Sequence, residues 1–248
     1  MSKVIVVKFG GTSLATAVRV RRAAARLKAH MRAGLMPVAV VSARGRTTDR
    51  IVAQLDQVCG CKPCGRERDR ALATGETLSA ALLAAALRNA GVEAVSLDAC
   101  DAGIAAAGDF GNATPVTLTS DRIAQLAERG VVPVVAGFQA LRADGERVTL
   151  GRGGSDTTAV FLAAQLGGAC HIVTDVDGVY DTDPRTVAGA VRYDAMSHDA
   201  LESLTRGGAV VVHPAAAGIA RRHAVPLLIH HFTARPPVTC GTRVGGVA

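Results

Sequence analysis

The sequence has no tryptophan, and aromatic residues make up only 3% of its 248 positions. Recognition of single-stranded nucleic acid by base stacking needs aromatic platforms, so that class is disfavoured from the start. No apolar run approaches the length of a membrane span, because Arg, Asp or Gly interrupts every Ala/Val stretch. The start, Met1-Ser2-Lys3, runs straight into an apolar segment and lacks the shape of a secretory signal. The expectation is a soluble cytoplasmic protein with no membrane partner. Long blocks of like charge are also missing, although the formal net charge is +7. Arg19, Arg21, Arg22 and Arg26 are spread over one predicted helix, which reads as a solvated basic face. An anionic small-molecule substrate fits that charge better than nucleic acid does.

Cysteine is sparse and irregular. Six are present, and Cys59, Cys61 and Cys64 cluster without a fourth ligand at a regular spacing. No metal site is assigned; the reading is a Cys-rich surface loop, with a zinc site or disulfide as the alternative.

Hydrophobic residues make up 49% of the chain. With so few aromatics the core must be Ala, Val and Leu, which suits helices packed closely on a sheet. A chain of this length suits one large α/β domain, or two lobes sharing one sheet, burying roughly three-quarters of its unfolded surface. Buried β-branched runs at 4–7, 37–42, 92–98, 131–137, 169–175 and 225–230 alternate with helical patterns at 17–32, 50–58, 68–90, 120–129, 157–166, 197–205 and 215–222. Such alternation predicts a parallel-rich sheet with helices on both faces. Gly75 is expected to interrupt its helix, Ser13 to cap the first helix, and 101–116 to form a hairpin or flap. The Gly-rich tail at 240–248 is expected to fray.

Two glycine-rich turns carry the chemistry. K-F-G-G-T-S at 8–13 follows an apolar strand, and L-G-R-G-G-S-D at 150–156 opens a helix. Paired glycines let backbone N–H groups approach an anion, and the helix start adds its dipole. Lys8 contributes a point charge, Arg152 a planar fork for a carboxylate, and Asp156 a carboxylate. Ser155 or Asp156 would cap the helix. Bringing two anions together is the requirement of phosphoryl transfer. Glu76 lies on a mostly apolar helix and needs a cationic partner, or else faces solvent. Asp175 and Asp177 follow a strand end, where a ribose, a metal or their own backbone would hold them.

Taken together, these motifs resemble the catalytic domain of aspartokinases, within the amino acid kinase family. The resemblance runs nearly end to end. Its further motifs are S-A-R-G-R-T-T-D at 42–49, T-G-E at 74–76, G-N-A at 111–113, V-A-G-F-Q at 135–139 and T-D-V-D-G-V-Y-D-T-D-P-R at 174–185. It implies a three-layer αβα sandwich with a mostly parallel central sheet. One domain over 1–248 would comprise an amino-acid-binding lobe, about 1–140, and a nucleotide-binding lobe, about 141–248. ATP and Mg²⁺ are implied, with L-aspartate as acceptor and 4-phospho-L-aspartate as product; a homodimer is expected.

The resemblance also implies roles. Lys8 would neutralise the transferring phosphoryl group, and Asp156 would orient Lys8. Gly10, Gly11 and Ser13 would line the phosphate path. Arg152 would clamp the α-carboxylate and Glu76 the ammonium. Ser42 and Thr47 or Thr48 would flank the substrate carboxyl group, with donors from Gly153, Gly154 and Ser155. Thr174, Asp175, Tyr180, Asp183 and Arg185 would hold the nucleotide. Two departures stand out. Val210 occupies the place of an expected Lys, which predicts weakened nucleotide handling unless Arg206 or Arg243 supplies the charge. Nothing after Val244 reads as a regulatory domain, so feedback by lysine or threonine is not expected. The alternatives kept open are another acceptor, such as another aspartate-like acid, glutamate or a carbamate, and a non-catalytic binding subunit.

Overall fold

The computed structural model describes residues 4–60, 64–182, 184, 186–207, 211–234, 238 and 240–245. Cys61, Asp183, Arg185 and Val210 lie outside the described residues.

The chain opens with β1 (Val4–Phe9), a 3₁₀ turn (Thr12–Leu14) and α1 (Ala17–Arg32). There follow β2 (Met36–Val41), α2 (Thr47–Cys59), α3 (Gly65–Asn89) and β3 (Ala94–Leu97). Next come α4 (Ala99–Ala102), β4 (Ile104–Ala107), β5 (Thr114–Leu118), α5 (Arg122–Glu128), β6 (Val132–Ala136), β7 (Gln139–Leu141) and β8 (Arg147–Thr149). Then α6 (Gly154–Gln165) leads to β9 (Ala169–Thr174), β10 (Val179–Tyr180), β11 (Arg192–Tyr193) and β12 (Ala195–Met196). The described part closes with α7 (His198–Arg206), α8 (Pro214–Arg222), β13 (Leu227–His231) and β14 (Thr242–Val244).

Eight strands form the central sheet in the order β12-β14-β13-β9-β1-β2-β6-β3. All neighbours are parallel except β13 and β14. Parallel strands are buried on both faces, hence their near-continuous apolar runs. Successive side chains still point to opposite faces. Ile5, Val7 and Phe9 of β1 join Ala24 and Leu27 of α1 and Leu83 and Leu87 of α3 in one core cluster. Val6 joins Val160 and Leu162 of α6 and Ala216 of α8 in the other. Lys8 shares the parity of Val6, so it leaves the sheet on the α6 side. A four-stranded sheet, β5-β4-β7-β8, covers part of that face.

The α/β class, the mostly parallel sheet and the helices on both faces agree with the expectation. The sheet itself draws β1, β2, β3 and β6 from before residue 140 and β9, β12, β13 and β14 from after it. Local expectations needed correction. Ser13 does not cap α1; Thr16 does, its side chain accepting from Arg19 N at 3.3 Å. Ser13 Oγ instead donates to Val173 O at 3.3 Å. Gly75 does not interrupt α3. A Cβ there would lie 2.8 Å from Ala43 Cβ, so the glycine permits close packing. Neither Ser155 nor Asp156 caps α6; Gly153 does, with φ of 71°. The expected fraying tail includes β14, which hydrogen-bonds between β13 and β12. Strands β7, β8 and the short β10–β12 were too brief to register as periodic runs. The 101–116 segment does contain an antiparallel hairpin, β4 against β5.

Candidate active site

The carboxyl ends of β1 and β2, the start of α2, the middle of α3 and the start of α6 surround a cavity of about 210 Å³. Lys8, Ser42, Ala43, Thr48, Glu76, Phe138, Gly151, Arg152, Gly153, Gly154, Ser155 and Asp156 line it. Clefts beyond the carboxyl ends of parallel strands are where open α/β sheets bind ligands.

Lys8 and Asp156 form the charged floor, with Nζ 2.7 Å from Oδ1 and both side chains nearly buried. Asp156 lies in the first turn of α6, where a carboxylate complements the helix dipole.

Glu76 projects from α3 and is 4% exposed. Its Oε1 accepts from Ala43 N at 2.9 Å. Its Oε2 is buried with no hydrogen-bond partner among the described residues. Burial, only partly offset by the Ala43 N–H, pushes its carboxyl up to about 7. A buried carboxylate with one idle oxygen facing a cavity is set up for a cation.

Arg152 is exposed at the rim and makes no hydrogen bond or ion pair among the described residues. The turn carrying it is fixed by backbone geometry. Gly151 and Gly153 have φ of 70° and 71°, a region that favours glycine. A Cβ on Gly153 would fall 2.2 Å from His213, which stacks on the turn. Beyond the turn, α6 begins at Gly154 and is buried through Ala163.

Of the alternatives Thr47 and Thr48, Thr48 lines the cavity. Thr47 starts α2, and its hydroxyl donates to Arg44 O at 2.8 Å. Gly10, Gly11 and Ser13 do not line the cavity. Gly10 N donates to Val173 O at 3.3 Å. A Cβ on Gly11 would stand 2.5 Å from Ala43 O, so this glycine lets two loops touch. Thr174 ends β9 and donates to Asp175 Oδ1 at 3.2 Å. Tyr180 donates to Asp177 Oδ1 at 2.7 Å, and Arg192 holds the other oxygen of Asp177 at 3.0 Å. The hydrogen bond to Asp177 raises the Tyr180 phenol, and the same bond, with help from Arg192, holds the Asp177 carboxyl below the usual carboxylate range. Asp183, Arg185 and Val210 fall outside the described residues. Arg206 is engaged with Glu202 at 2.7 Å, while Arg243 lies exposed on β14.

Sequence reasoning missed Phe138 and Asp69. Phe138 lines the cavity with φ of 70°, a strained conformation for a non-glycine residue. Its ring packs so tightly on Gly154 that a Cβ there would fall 2.8 Å from it. The phenylalanine was visible inside V-A-G-F-Q, but no pattern signals a positive φ. Asp69 is fully buried on α3.

No described helix is long and apolar enough to cross a membrane. No cluster of three or more His, Cys, Asp or Glu among the described residues could hold a metal ion. The described cysteines are free: Cys59, Cys64, Cys100 and Cys240 are exposed and Cys170 is buried.

The family model described as the amino acid kinase family matches residues 3–231. The aspartokinase of Geobacillus stearothermophilus is 44% identical over 225 residues, which is 90% of this chain and 55% of that protein. Among solved structures, the aspartate kinase of Synechocystis has a TM-score of 0.83 at 40% identity, over 98% of this chain and 40% of that one. Aspartokinase III of E. coli, in complex with aspartate and ADP, has a TM-score of 0.87 at 26% identity, over 99% of this chain and 65% of that one. The chain spans about half the length of the curated relatives it matches. A mostly parallel sheet with its cleft at the strand ends, lined by Lys8 and the glycine-rich turn at 151–156, and a family match across nearly the whole sequence lead to one conclusion: the chain belongs to the amino acid kinase family.

Proposed function

We propose that this protein is an ATP-dependent kinase that phosphorylates the side-chain carboxylate of L-aspartate to 4-phospho-L-aspartate. The observation that carries the reading is Glu76. Its idle buried oxygen shares one cavity with the free guanidinium of Arg152 and the Lys8–Asp156 pair. An α-amino acid offers the matching charges, an ammonium for Glu76 and a carboxylate for Arg152. A short acidic side chain would then reach toward Lys8. The likeness to aspartokinases supports the same acceptor.

The acceptor carboxylate is already ionised at neutral pH, so no general base is needed. One of its oxygens bonds to the γ-phosphorus as the bond to the leaving oxygen of ADP breaks. Catalysis then reduces to positioning and charge stabilisation. Lys8 neutralises charge as it moves between oxygens, and Asp156 fixes the ammonium. Thr48, Ser42 and the N–H groups of Gly153 and Ser155 orient the acceptor; the expected donor Gly154 N–H is instead held by Gly151 O at 3.0 Å. Ionised Glu76 gains a Coulombic partner when the ammonium arrives, which lowers its raised pKa.

ATP would lie toward Thr174, Asp175 and Tyr180, with Gly10, Gly11 and Ser13 along the path, and Asp183 and Arg185 belong to the same proposal. Mg²⁺ would accompany the nucleotide. It is commonly held by phosphates, waters and one or two carboxylates. The ion would supply charge neutralisation on the phosphates. The division into lobes at about residue 140, a homodimer and a cytoplasmic location complete the proposal.

ADP release coupled to an optical readout, run over a panel of amino acids with hydroxylamine trapping of the acyl phosphate, tests the reading. Hydroxamate formed from aspartate and ATP is the expected result. Preference for glutamate or a carbamate would change the acceptor. Binding without turnover would favour a non-catalytic subunit, a reading motivated by Val210 in place of Lys.

A further inference from the structure

Asp69 has 0% exposure and lies on α3, two helical turns before Glu76. A spacing of seven residues puts both on the same side of the helix. Its Oδ2 accepts from Gly111 N at 2.8 Å and from Thr149 N at 2.7 Å. Its Oδ1 accepts from Thr149 Oγ1 at 3.0 Å. Thr149 is the last residue of β8, directly before the turn that carries Arg152. Ala113 N closes the junction by donating to Thr149 O at 3.0 Å. The turn also rests on this junction, since a Cβ on Gly151 would fall 3.1 Å from Gly111 O and 3.2 Å from Asn112 Oδ1.

Among the described residues no lysine or arginine pairs with Asp69. Three donors from outside its helix converge on this one carboxylate. Without it, Gly111 N, Thr149 N and the Thr149 hydroxyl would lose their acceptor in the interior. We infer that Asp69 is a positioning residue that fixes the distance between Glu76 and Arg152, and thereby sets the length of α-amino acid the cavity accepts. The inference rests on the proposed roles of those two residues and deepens them: ammonium and carboxylate recognition come from separate elements, and one buried carboxylate ties the elements together.

The test uses Asp69→Ala, Asp69→Asn and Thr149→Val, with Leu87→Ala as a control for lost stability. Leu87 is buried on α3 within the core cluster on the α1 side of the sheet. Misplacing a substrate-holding group costs about a hundredfold in enzymes generally. Asp69→Ala should raise KM for aspartate by roughly ten- to a hundredfold on that ground, while KM for ATP holds within about twofold. Asp69→Asn should largely rescue, because its carbonyl can accept both N–H groups while its amide donates to the Thr149 hydroxyl. Thr149→Val, which removes only one bond, should fall between. Hydrogen exchange of amides 150–156 supplies a readout that needs no substrate: it should speed up in Asp69→Ala and not in Leu87→Ala at matched Tm. Equal effects on both KM values, or exchange no faster than in the control, would overturn the inference. If wild-type protein turns over no amino acid, the proposed function fails, while the exchange comparison still decides for or against Asp69.

Discussion

Lys8 Nζ and Asp156 Oδ1 meet at 2.7 Å across the junction of β1 and α6, each nearly buried. The strand gives Lys8 its direction and the helix start gives Asp156 its place, so the pair reports how the two glycine-rich turns are brought together. Lys8→Ala should cut kcat by about a hundredfold or more, as expected for deleting preorganised electrostatic stabilisation. Asp156→Asn should lower kcat less, and the double variant should be no worse than Lys8→Ala alone. Steady-state kinetics on the three proteins decide this; additive losses would mean that the two residues act separately.

Arg152→Ala and Glu76→Ala should each raise KM for the amino acid far more than KM for ATP. Leaving a buried charge without its partner costs roughly 2–5 kcal/mol, and the rim position of Arg152 puts it at the lower end. A rise in KM for ATP alone would move both residues to the wrong half of the site.

Glu76 also predicts a pH dependence with a definite sign. Burial raises its folded pKa to about 7 from 4.5. Below pH 4.5 both folded and unfolded states are neutral, and above 7 the folded state holds an ionised carboxylate in a desolvated place. Its contribution to stability is therefore lost as pH rises from about 4.5 to 7. Glu76→Gln should raise Tm relative to wild type at pH 8 and much less at pH 4.5. Because an ammonium pairs with the ionised form, amino acid binding near pH 6.5 should release a proton, which calorimetry in buffers of different ionisation enthalpy would count. Binding with no proton release would argue against Glu76 as the ammonium partner.

Three histidines packed edge to face give the opposite slope. His30 and His230 flank His171, with ring centroids 5.4 and 5.5 Å away at near-perpendicular angles. Burial, aided by nearby Arg26, lowers His30 and His230 to about 4; burial and its histidine neighbours lower His171 to about 3. The unfolded chain protonates all three near pH 6.5, so stability should fall as pH drops from about 6.5 toward 4. His171→Phe should flatten urea midpoints measured between pH 7 and 4.5. An unchanged slope would assign the acid sensitivity to other groups.

Two glycines form a matched pair. Gly34 and Gly153 have φ of 78° and 71°; a Cβ on Gly34 meets nothing within 4 Å, while one on Gly153 meets His213 at 2.2 Å. Gly34→Ala should cost only the left-handed penalty, roughly 1–2 kcal/mol. Gly153→Ala should cost clearly more and abolish activity. Equal losses of Tm would show that His213 can move aside.

Much of this architecture was legible in the residues. The run at Val4–Val7 announced a buried parallel strand because both faces are covered, and Lys8 inherits its direction from that strand, which extends to Phe9. Glycine-rich turns announced themselves because few other residues tolerate their backbone. What escaped has a common physical origin in long-range packing. Gly75 looked like a break but serves a contact with Ala43, and Thr16 rather than Ser13 caps α1. Thr47 and Thr48 are indistinguishable in sequence, and only the start of α2 turns one hydroxyl toward Arg44. Asp69 carried no motif-level hint, since its three donors come from segments far along the chain.

The cavity's walls differ in how much change they can absorb. Every residue of α6 from Gly154 to Ala163 is buried, whereas α2, which brings Thr48 to the same cavity, has no buried residue at all. Substitutions along α6 are coupled to the whole interior, while α2 can be rewritten nearly one position at a time. New acceptor preferences should therefore be reached most readily through α2, and a library randomised there should keep far more folded members than one randomised along α6.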